Sequence, residues 1–378
     1  MKRCMVLLLL LFPVCGIHAW DFCQKNADGI MLYYNYIDEN SCEIAYCKEA
    51  VENDGYAVYT LRIPETVTLK SSREGYEDED TVMAVIGIAD NAFEGGNFWK
   101  IELPETIGYI GERAFKYSRL SAIEFPVWCY HIGSNAFDNC SNLKYVKIPG
   151  TIEELGTGIF YNSGIEKVEF APNKYIKEIP GYSFMKCQYL GEFVVPSFIK
   201  IIRKEAFAYS GLSKIKIPEG VEVIGDAAFY DVAFNTLELP ASIKEIGESA
   251  MQIVKYLYVN RYDPPYCKDI TSLGTEKQYD YDTRTFSYAN KPCGEKTRYL
   301  IIPIGTNDVY QTTYPWTRYD ERCYKTRNIS GIPAVTAGQA GSEEESIFSL
   351  DGRQLDFKQK GINIVRYKDG TSRKVLKR

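Results

Sequence analysis

At its centre the chain reads Ile132-Gly133-Ser134-Asn135-Ala136-Phe137-Asp138-Asn139-Cys140-Ser141-Asn142-Leu143-Lys144-Tyr145-Val146-Lys147-Ile148-Pro149. The block at its start, an apolar residue, a glycine and then Ala-Phe or a near match, returns eight times along the 378 residues. The anchor positions lie 22 to 24 residues apart and are Phe93, Phe115, Phe137, Phe160, Phe184, Phe207, Phe229 and Met251. A fixed period in this range predicts a solenoid, in which each coil buries an apolar side that only its neighbours can cover.

A second column keeps the same period. A proline stands 11 or 12 residues after each aromatic anchor, at Pro104, Pro126, Pro149, Pro172, Pro196, Pro218 and Pro240. Apolar residues spaced i, i+2, such as Val146 and Ile148, precede it. Alternation of this kind predicts a short strand with one buried face. The proline then ends the strand because it has no N–H to donate to a ladder.

The other half of each repeat carries apolar residues spaced i, i+3, such as Ile107 and Ile110. A glycine usually follows at the corner, at Gly111, Gly133, Gly156, Gly225 and Gly247. Glycine tolerates a tight or positive-φ corner without steric cost, so we expect such a corner here. Two coils lack this glycine, at Ile179-Pro180 and Ile202-Arg203, and we expect local distortion at both.

These columns resemble the BspA-like class of bacterial leucine-rich repeats, whose unit reads roughly I-G-x-x-A-F-x-x-C-x-x-L-x-x-I-x-I-P. Residues 132–149 match it almost position for position, and the resemblance covers about half of the chain. It implies a mainly β solenoid, a leucine-rich repeat array of about eight coils of 22 to 24 residues with β caps at both ends. It also implies a binding role without catalysis.

The pattern divides the chain into six segments. They are a signal peptide (1–19), an N-terminal β-hairpin cap (20–82), the solenoid (83–259), a C-terminal cap (260–330), a linker (331–346) and a C-terminal β unit (347–378). Solenoids need atypical ends, since a bare terminal coil would leave apolar surface and strand edges open to water. Leu61-Arg62-Ile63-Pro64 falls among the hairpin strands, and Tyr310 and Trp316 are expected to pack under the C-terminal cap.

The N-terminus is typical of an export signal. Lys2 and Arg3 precede an apolar run from Val6 to Phe12, with a possible cleavage after Ala19. The run is much shorter than the ~20 residues of a membrane-spanning helix, and no later segment could cross a bilayer. We therefore expect a secreted or cell-surface protein. A periplasmic location, or a lipid anchor through Cys15, remains an alternative.

The last residues form a separate pattern. Short apolar runs alternate with turns at Asp351-Gly352, Lys360-Gly361 and Asp369-Gly370, which predicts three short strands. The segment 347–378 resembles the C-terminal sorting domain of the type IX secretion route in Bacteroidetes. The resemblance implies the secretion machinery as a partner. The alternative is a β appendage docked on the cap.

Charged residues at the outward position of the predicted strands give the candidate binding site. They fall in one column, the outward row, which consists of Glu102, Glu124, Lys147, Glu169, Lys216 and Glu238. Tyr258 and Tyr262 join them from a tyrosine-rich stretch at the end of the array, because aromatic rings with polar edges suit glycan and protein contacts. We expect a protein or glycan ligand on this site, and host extracellular or cell-surface molecules are one candidate source of it.

Two other functions stay open. One is a structural surface-layer or adhesive component. The other is a glycan-active enzyme, because carboxylates of the outward row on neighbouring coils would lie about 5 Å apart, close to the separation of a retaining glycosidase pair.

Other chemistry finds little support in the sequence. The two histidines are His18, inside the expected signal peptide, and His131, which stands at a variable column of the repeat. No nucleotide-binding or hydrolase motif occurs, and the cysteine spacings do not fit zinc. Cys140 and Cys187 share a small-residue column and are expected to be packed thiols. We therefore expect no catalytic, cofactor or metal site, and a net charge of −6 disfavours nucleic acid as a partner.

Overall fold

The computed structural model describes residues 20–51, 58–70, 80–268, 277–280, 285–288, 299–313, 316, 324–327, 344–348, 354–355, 361–367 and 372–377. The expected signal peptide and most of the expected linker lie outside these ranges. The described residues form a β solenoid with two short helices, and no helix among them is long and apolar enough to cross a membrane.

The N-terminal part is mostly β. Its elements are β1 (Phe22–Lys25), β2 (Met31–Tyr36), β3 (Ser41–Tyr46), α1 (Lys48–Val51), β4 (Val58–Arg62), β5 (Thr66–Leu69) and β6 (Thr81–Ile88). Strands β1, β2 and β3 are antiparallel, and β3 then pairs in parallel with β6. This arrangement covers the first coil and joins the cap to the solenoid in one sheet.

The solenoid consists of short strands separated by turns. They are β7 (Phe98–Glu102), β8 (Tyr109–Ile110), β9 (His131–Ile132), β10 (Tyr145–Ile148), β11 (Glu154–Leu155), β12 (Lys167–Phe170), β13 (Glu178–Ile179), β14 (Glu192–Val194), β15 (Ile201–Ile202), β16 (Lys214–Lys216), β17 (Val223–Ile224), β18 (Phe229–Leu239), β19 (Glu245–Ile246), β20 (Met251–Val259) and β21 (Tyr266–Cys267).

These strands stack in two parallel series. The first ladder contains strands that the proline column predicts, and its pairs are β4 with β7, β10 with β12, β14 with β16 and β18 with β20. Among the described residues before Pro126 the expected strand is absent, and only a bridge between Lys100 and Ala122 lies there. The second ladder, β6, β8, β9 and β11, then β13, β15, β17, β19 and β21, runs through the other half of each repeat. The i, i+3 spacing there did not predict strands.

Strand β4 also departs from the expectation for Leu61-Arg62-Ile63-Pro64. It pairs in parallel with β7 rather than within a hairpin, so it extends the first ladder toward the N-terminus. The solenoid has about nine turns, one more than the eight anchor positions indicate.

The anchor phenylalanines form a continuous stack through the core. All seven are fully buried, with successive ring centroids 5.1 to 5.7 Å apart. Met251 is buried at the eighth position. The expectation that Phe137 and Phe207 lie fully buried between coils is confirmed.

The corner glycines serve close approach and not a positive φ. A Cβ added at Gly133 would lie 2.6 Å from the backbone nitrogen of Glu112 in the preceding coil. Positive φ angles occur instead two residues before and two after the anchor aromatic, largely at non-glycine residues such as Arg113 and Asn139. Of the two expected alternatives, a tight corner or a positive φ, the structure confirms the tight corner, and the reason for glycine is that two backbones almost touch.

Of the two coils without a corner glycine, only one interrupts the second ladder. The corner residue normally donates its N–H to the preceding coil, as Gly133 does to Ile110 O at 2.8 Å. Pro180 has no N–H, and the ladder breaks between β11 and β13. Arg203 donates to Ile179 O at 3.0 Å, so the expected distortion there is absent.

The C-terminal cap contains β22 (Lys277–Asp280), β23 (Thr285–Tyr288), β24 (Tyr299–Pro303), α2 (Asn307–Thr312) and β25 (Tyr324–Arg327). Strands β24 and β25 continue the first ladder beyond β20. Tyr310 and Trp316 are fully buried, with Trp316 Nε1 donating to Pro265 O at 3.0 Å. Their predicted packing against the end of the array is confirmed.

The C-terminal segment forms an antiparallel sheet. Its strands are β26 (Glu344–Phe348), β27 (Gln354–Leu355), β28 (Gly361–Tyr367) and β29 (Ser372–Lys377), in the order β27-β26-β28-β29. The sheet has four strands where the turns predicted three, because residues 344–348 form a longer strand and Gln354–Leu355 adds a short one. Among the described residues, none of the four pairs with a strand of the solenoid.

Candidate ligand-binding face

Parallel pairing places the outward row on one side of the first ladder. Lys147 is directly opposite Glu169 in the β10–β12 pair, and a bridge from Lys100 to Ala122 aligns the coils of Glu102 and Glu124. All six side chains are exposed or half-exposed, since buried residues such as Val146 and Leu237 alternate with them along the strands. The row therefore lies on an open face and not in a cleft.

The carboxylate of Glu102 is held by two cations. Lys100 Nζ lies 3.0 Å from one of its oxygens, and Arg62 Nε lies 3.0 Å from the other. The hydrogen bond from Lys100 and the attraction of both cations lower the pKa of Glu102 below its usual range. This carboxylate is ionised at neutral pH.

Glu169 has a similar environment three coils further on. Lys167 Nζ lies 2.5 Å from one carboxylate oxygen, and the Tyr145 hydroxyl donates to the other at 3.0 Å. The hydrogen bond from Lys167 is the main cause of a lowered pKa for Glu169. Lys147, opposite in the row, adds its attraction.

Glu238, at the C-terminal end of the row, is bound by residues of the cap. Asn260 Nδ2 donates to it at 2.9 Å, and Arg327 forms an ion pair with the same oxygen. These hydrogen bonds, first from Asn260 and then from Arg327, lower the pKa of Glu238. Arg327 also donates to Asn260 Oδ1, so the three side chains form one network.

Tyrosines continue the face beyond Glu238. Tyr258 is opposite Glu238 in the β18–β20 pair, and the guanidinium of Arg327 lies 4.5 Å from the centre of its ring. Tyr256 and Tyr299 stack nearly parallel at 5.1 Å. Tyr262 lies beyond the end of β20 and is half-buried. The structure thus brings Tyr258 to the outward row and leaves Tyr262 outside the strand register.

Three carboxylates of the face differ from a glycosidase general acid in the direction of their pKa shifts. They have lowered pKa values, whereas a glycosidase general acid needs a raised one. A narrow apolar cavity does occur beside Pro180, lined by residues that include Ile148, Phe160 and Phe184, but it carries none of the row. Among the described residues, no group of three or more His, Cys, Asp or Glu side chains could hold a metal ion.

His131 and the core cysteines occupy structural positions. His131 is half-exposed, with Nδ1 3.2 Å from a carboxylate oxygen of Glu154 in the next coil. Cys140 is buried, and its Sγ donates to Phe115 O at 3.0 Å. Cys187 repeats this contact with Phe160 O at 2.9 Å. Burial raises the pKa of both thiols, to about 12 for Cys140 and about 11 for Cys187, in agreement with packed thiols.

The sequence analysis did not predict the cations that pair with the carboxylates of the row. Lys100 and Lys167 stand two residues before their carboxylates, a spacing that places them on the same face of a strand. That signal was available in the pattern. The sequence pattern could not indicate Arg327 as a partner. Arg327 lies 89 residues from Glu238, and only the strand order of the cap brings the two side chains together.

Comparison with known families agrees with the repeat geometry. A sequence model of the BspA-type leucine-rich repeat region matches the chain in six copies, over residues 81–190 and 177–272. The matched residues amount to slightly more than half of the chain. No curated protein matches the chain in sequence.

Several solved structures are similar to the chain. A leucine-rich repeat protein from Bacteroides ovatus is 18% identical, with a TM-score of 0.47 over 78% of this chain and 75% of that one. The pneumococcal vaccine antigen PcpA is 18% identical, with a TM-score of 0.33 over 81% of this chain and 97% of that one. A leucine-rich cell surface protein from Faecalibacterium prausnitzii is 15% identical, with a TM-score of 0.36 over 64% and 71%.

Proposed function

The chain belongs to the BspA-type leucine-rich repeat family, and from this premise we propose that it is a secreted or cell-surface binding protein without catalysis. Its ligand, a protein or a glycan, lies across the outward row. The observation that supports the proposal is that Lys147 is directly opposite Glu169 in the first ladder and that all six side chains of the row are exposed or half-exposed. A flat face with charges at fixed spacing suits an extended surface of a partner.

The lowered carboxylate pKa values favour binding over catalysis. Glu102, Glu169 and Glu238 stay ionised near neutral pH, so they present fixed charge to a ligand. A carboxylate that stays ionised is poorly suited to be the proton donor of a glycan-active enzyme. Turnover of glycan substrates that disappears in Glu102→Gln and Glu124→Gln would favour the enzyme. Ordered self-assembly without ligand binding would favour a structural surface component.

Export is part of the same proposal. The N-terminal pattern of Lys2, Arg3 and the apolar run supports a cleavable signal peptide. Strands β26 to β29 pair only with one another among the described strands, which supports a separate sorting signal for the type IX route. Together they support delivery to the cell surface or the medium.

Charge reversal tests the binding face. Glycan arrays and extracellular matrix proteins would first identify a ligand for the purified protein. Lys147→Glu with Lys216→Glu should then weaken binding or change its salt dependence at an unchanged melting temperature, because both lysines are exposed. Lys174→Glu with Lys200→Glu makes the same charge change at exposed positions outside the row and is the matched control. Equal effects of the two double variants would argue against the row.

A further inference from the structure

Three cations and three tyrosines meet at the C-terminal end of the first ladder. We call this group the cationic tyrosine cluster, and its members are Lys255, Tyr256, Tyr258, Tyr299, Lys325 and Arg327. Parallel pairing of β20 with β24 and of β24 with β25 brings them together from three separate parts of the chain. The cluster adjoins Glu238, the last member of the outward row.

The cations lie against the tyrosine rings. Lys325 Nζ is 4.1 Å from the ring centre of Tyr299, and Lys255 Nζ is 5.4 Å from that of Tyr256. The two rings stack on each other at 5.1 Å. Cation–π contacts hold the ammonium groups in place without neutralising them. The tyrosines therefore orient the positive charges on this face.

The local charge is opposite to that of the whole chain. Arg327 pairs with Glu238, but within the described ranges no carboxylate lies at ion-pair distance from Lys255 or Lys325. Both lysines are exposed. A positive site on a chain with a net charge of −6 attracts an anionic group and leaves neutral ligands unaffected.

We propose that the cationic tyrosine cluster binds an acidic saccharide through its carboxylate or sulfate groups. The inference rests on the proposed binding function and names its ligand class. Lys255 and Lys325 would hold the anionic groups, while the tyrosines contact the sugar ring. Asn260 and Glu238 offer polar atoms to its hydroxyls. An acidic peptide would use only the cations, whereas a saccharide would also use the tyrosine rings and the polar atoms of Asn260 and Glu238, so the mixed chemistry of the site favours the saccharide.

The test uses defined polymers. Titration calorimetry of the purified protein with polygalacturonate, dextran sulfate, uncharged dextran and poly-L-glutamate compares carboxylate, sulfate, sugar alone and acidic peptide. We expect binding to one or both of the first two, weakened by salt, and much weaker binding to dextran and poly-L-glutamate. Absence of binding to both acidic polysaccharides, or equally tight binding of poly-L-glutamate, would overturn the proposal.

Variants locate the site. Lys255→Gln with Lys325→Gln should weaken binding of the acidic polysaccharide about tenfold, as the loss of two charge contacts implies. Lys144→Gln with Lys214→Gln removes the same charge from the same ladder, where each lysine already pairs with a carboxylate, and should change affinity less than about twofold. Tyr258→Leu should weaken binding while the melting temperature is retained.

Equal affinities of the two double variants for the acidic polysaccharide would contradict the proposal that the cationic tyrosine cluster binds it. The broader function would survive that result if a ligand from the array screen still responded to charge reversal at Lys147 and Lys216. Conversely, saccharide binding that depends on Lys255 and Lys325 but not on Lys147 and Lys216 would support the cluster as the binding site and contradict the proposal for the outward row. The two proposals therefore fail separately.

Discussion

At the scale of single residues, the core depends on rings shared between coils. Phe137 lies 5.3 Å from Phe115 and 5.6 Å from Phe160, and meets Phe125 edge-on at 5.9 Å. Each ring thus packs on both neighbours at once. A coil loses contacts on two sides when its anchor is removed, so an anchor at the centre of the array contributes more than a terminal one.

Truncation of this anchor tests the stack. Phe137→Ala should lower the free energy of unfolding by about 3 to 5 kcal/mol, because a fully buried ring leaves a cavity between rigid coils. Chemical denaturation measures the change. Trp128→Ala, at a side chain that is 70% exposed, is the control and should cost less than about 0.5 kcal/mol. A loss below about 1 kcal/mol for Phe137→Ala would contradict the stacked core.

Burial should also make the core thiols unreactive toward alkylating reagents. Because the pKa of Cys140 is about 12 and that of Cys187 about 11, almost no thiolate forms at pH 8 in the folded protein. Iodoacetamide followed by mass spectrometry should therefore label the exposed Cys23 and leave both core thiols unmodified until denaturant is added. Labelling of native Cys140 at the rate of Cys23 would mean that the coils open readily.

At the scale of elements, coil spacing is set by backbone contact at the corner glycines. Gly133→Ala would press a Cβ against backbone atoms of Glu112 and Gly111 at 2.6 Å, and backbone atoms cannot rotate away. We expect a loss of about 1 to 3 kcal/mol by overpacking, measured by chemical denaturation. Gly191→Ala is the matched control, since its Cβ would meet nothing within 4 Å. Similar losses in both variants would attribute the effect to glycine in general.

The elements that the sequence predicts are those with a long repeating pattern. The anchor phenylalanines and the strands before the prolines follow from spacing alone, and the structure confirms them except before Pro126, where only an isolated bridge at Ala122 forms. After β6, the second ladder has strands of only two residues, such as Tyr109–Ile110, too short to show alternation. The positive-φ positions escape detection because residues as different as Arg113, Tyr117 and Ala227 occupy them.

The candidate face likewise contains features that the sequence predicts and others that it does not. Periodicity placed Glu102, Lys147 and Glu169 on one side, since a strand period of two and a constant coil length fix that geometry. The contacts to Arg62 and Arg327 join residues 40 and 89 positions apart, across the ends of the array. Only the cap topology determines those contacts, and the caps do not repeat.

At the scale of the whole molecule, Pro180 divides the second ladder into two blocks. Strands β6 to β11 belong to one sheet and β13 to β21 to another, while the phenylalanine stack runs across the joint with 5.7 Å between Phe160 and Phe184. Side-chain packing and turn hydrogen bonds, such as the one from Phe160 N–H to Ser183 O at 3.0 Å, therefore connect the blocks where the second ladder does not. The cavity beside Pro180 lies at the same joint. The outward row crosses it, so a ligand bound along the row would bridge both blocks.

The C-terminal sheet presents the opposite case, in which a part of the chain is expected to be independent of the core. Strands β26 to β29 pair with one another, and no described strand of the solenoid pairs with them. A linker poor in large apolar residues precedes them, and few contacts cross such a segment. Deletion of the residues after Gly341 should therefore leave the melting temperature of the solenoid unchanged, as measured by calorimetry.

The same deletion tests whether the C-terminal sheet is a sorting signal for export. If the sheet is read by the type IX machinery, the truncated protein should accumulate folded in the periplasm of the exporting organism, whereas the full chain reaches the surface. Fractionation followed by immunoblotting measures the distribution, and Lys147→Glu with Lys216→Glu in the full chain is the control for a variant that keeps the tail. Truncated protein at the surface would remove the sorting role, and a lowered melting temperature would make the sheet part of the cap. Because the two readouts respond to different roles of the same residues, one deletion separates an export signal from a structural one.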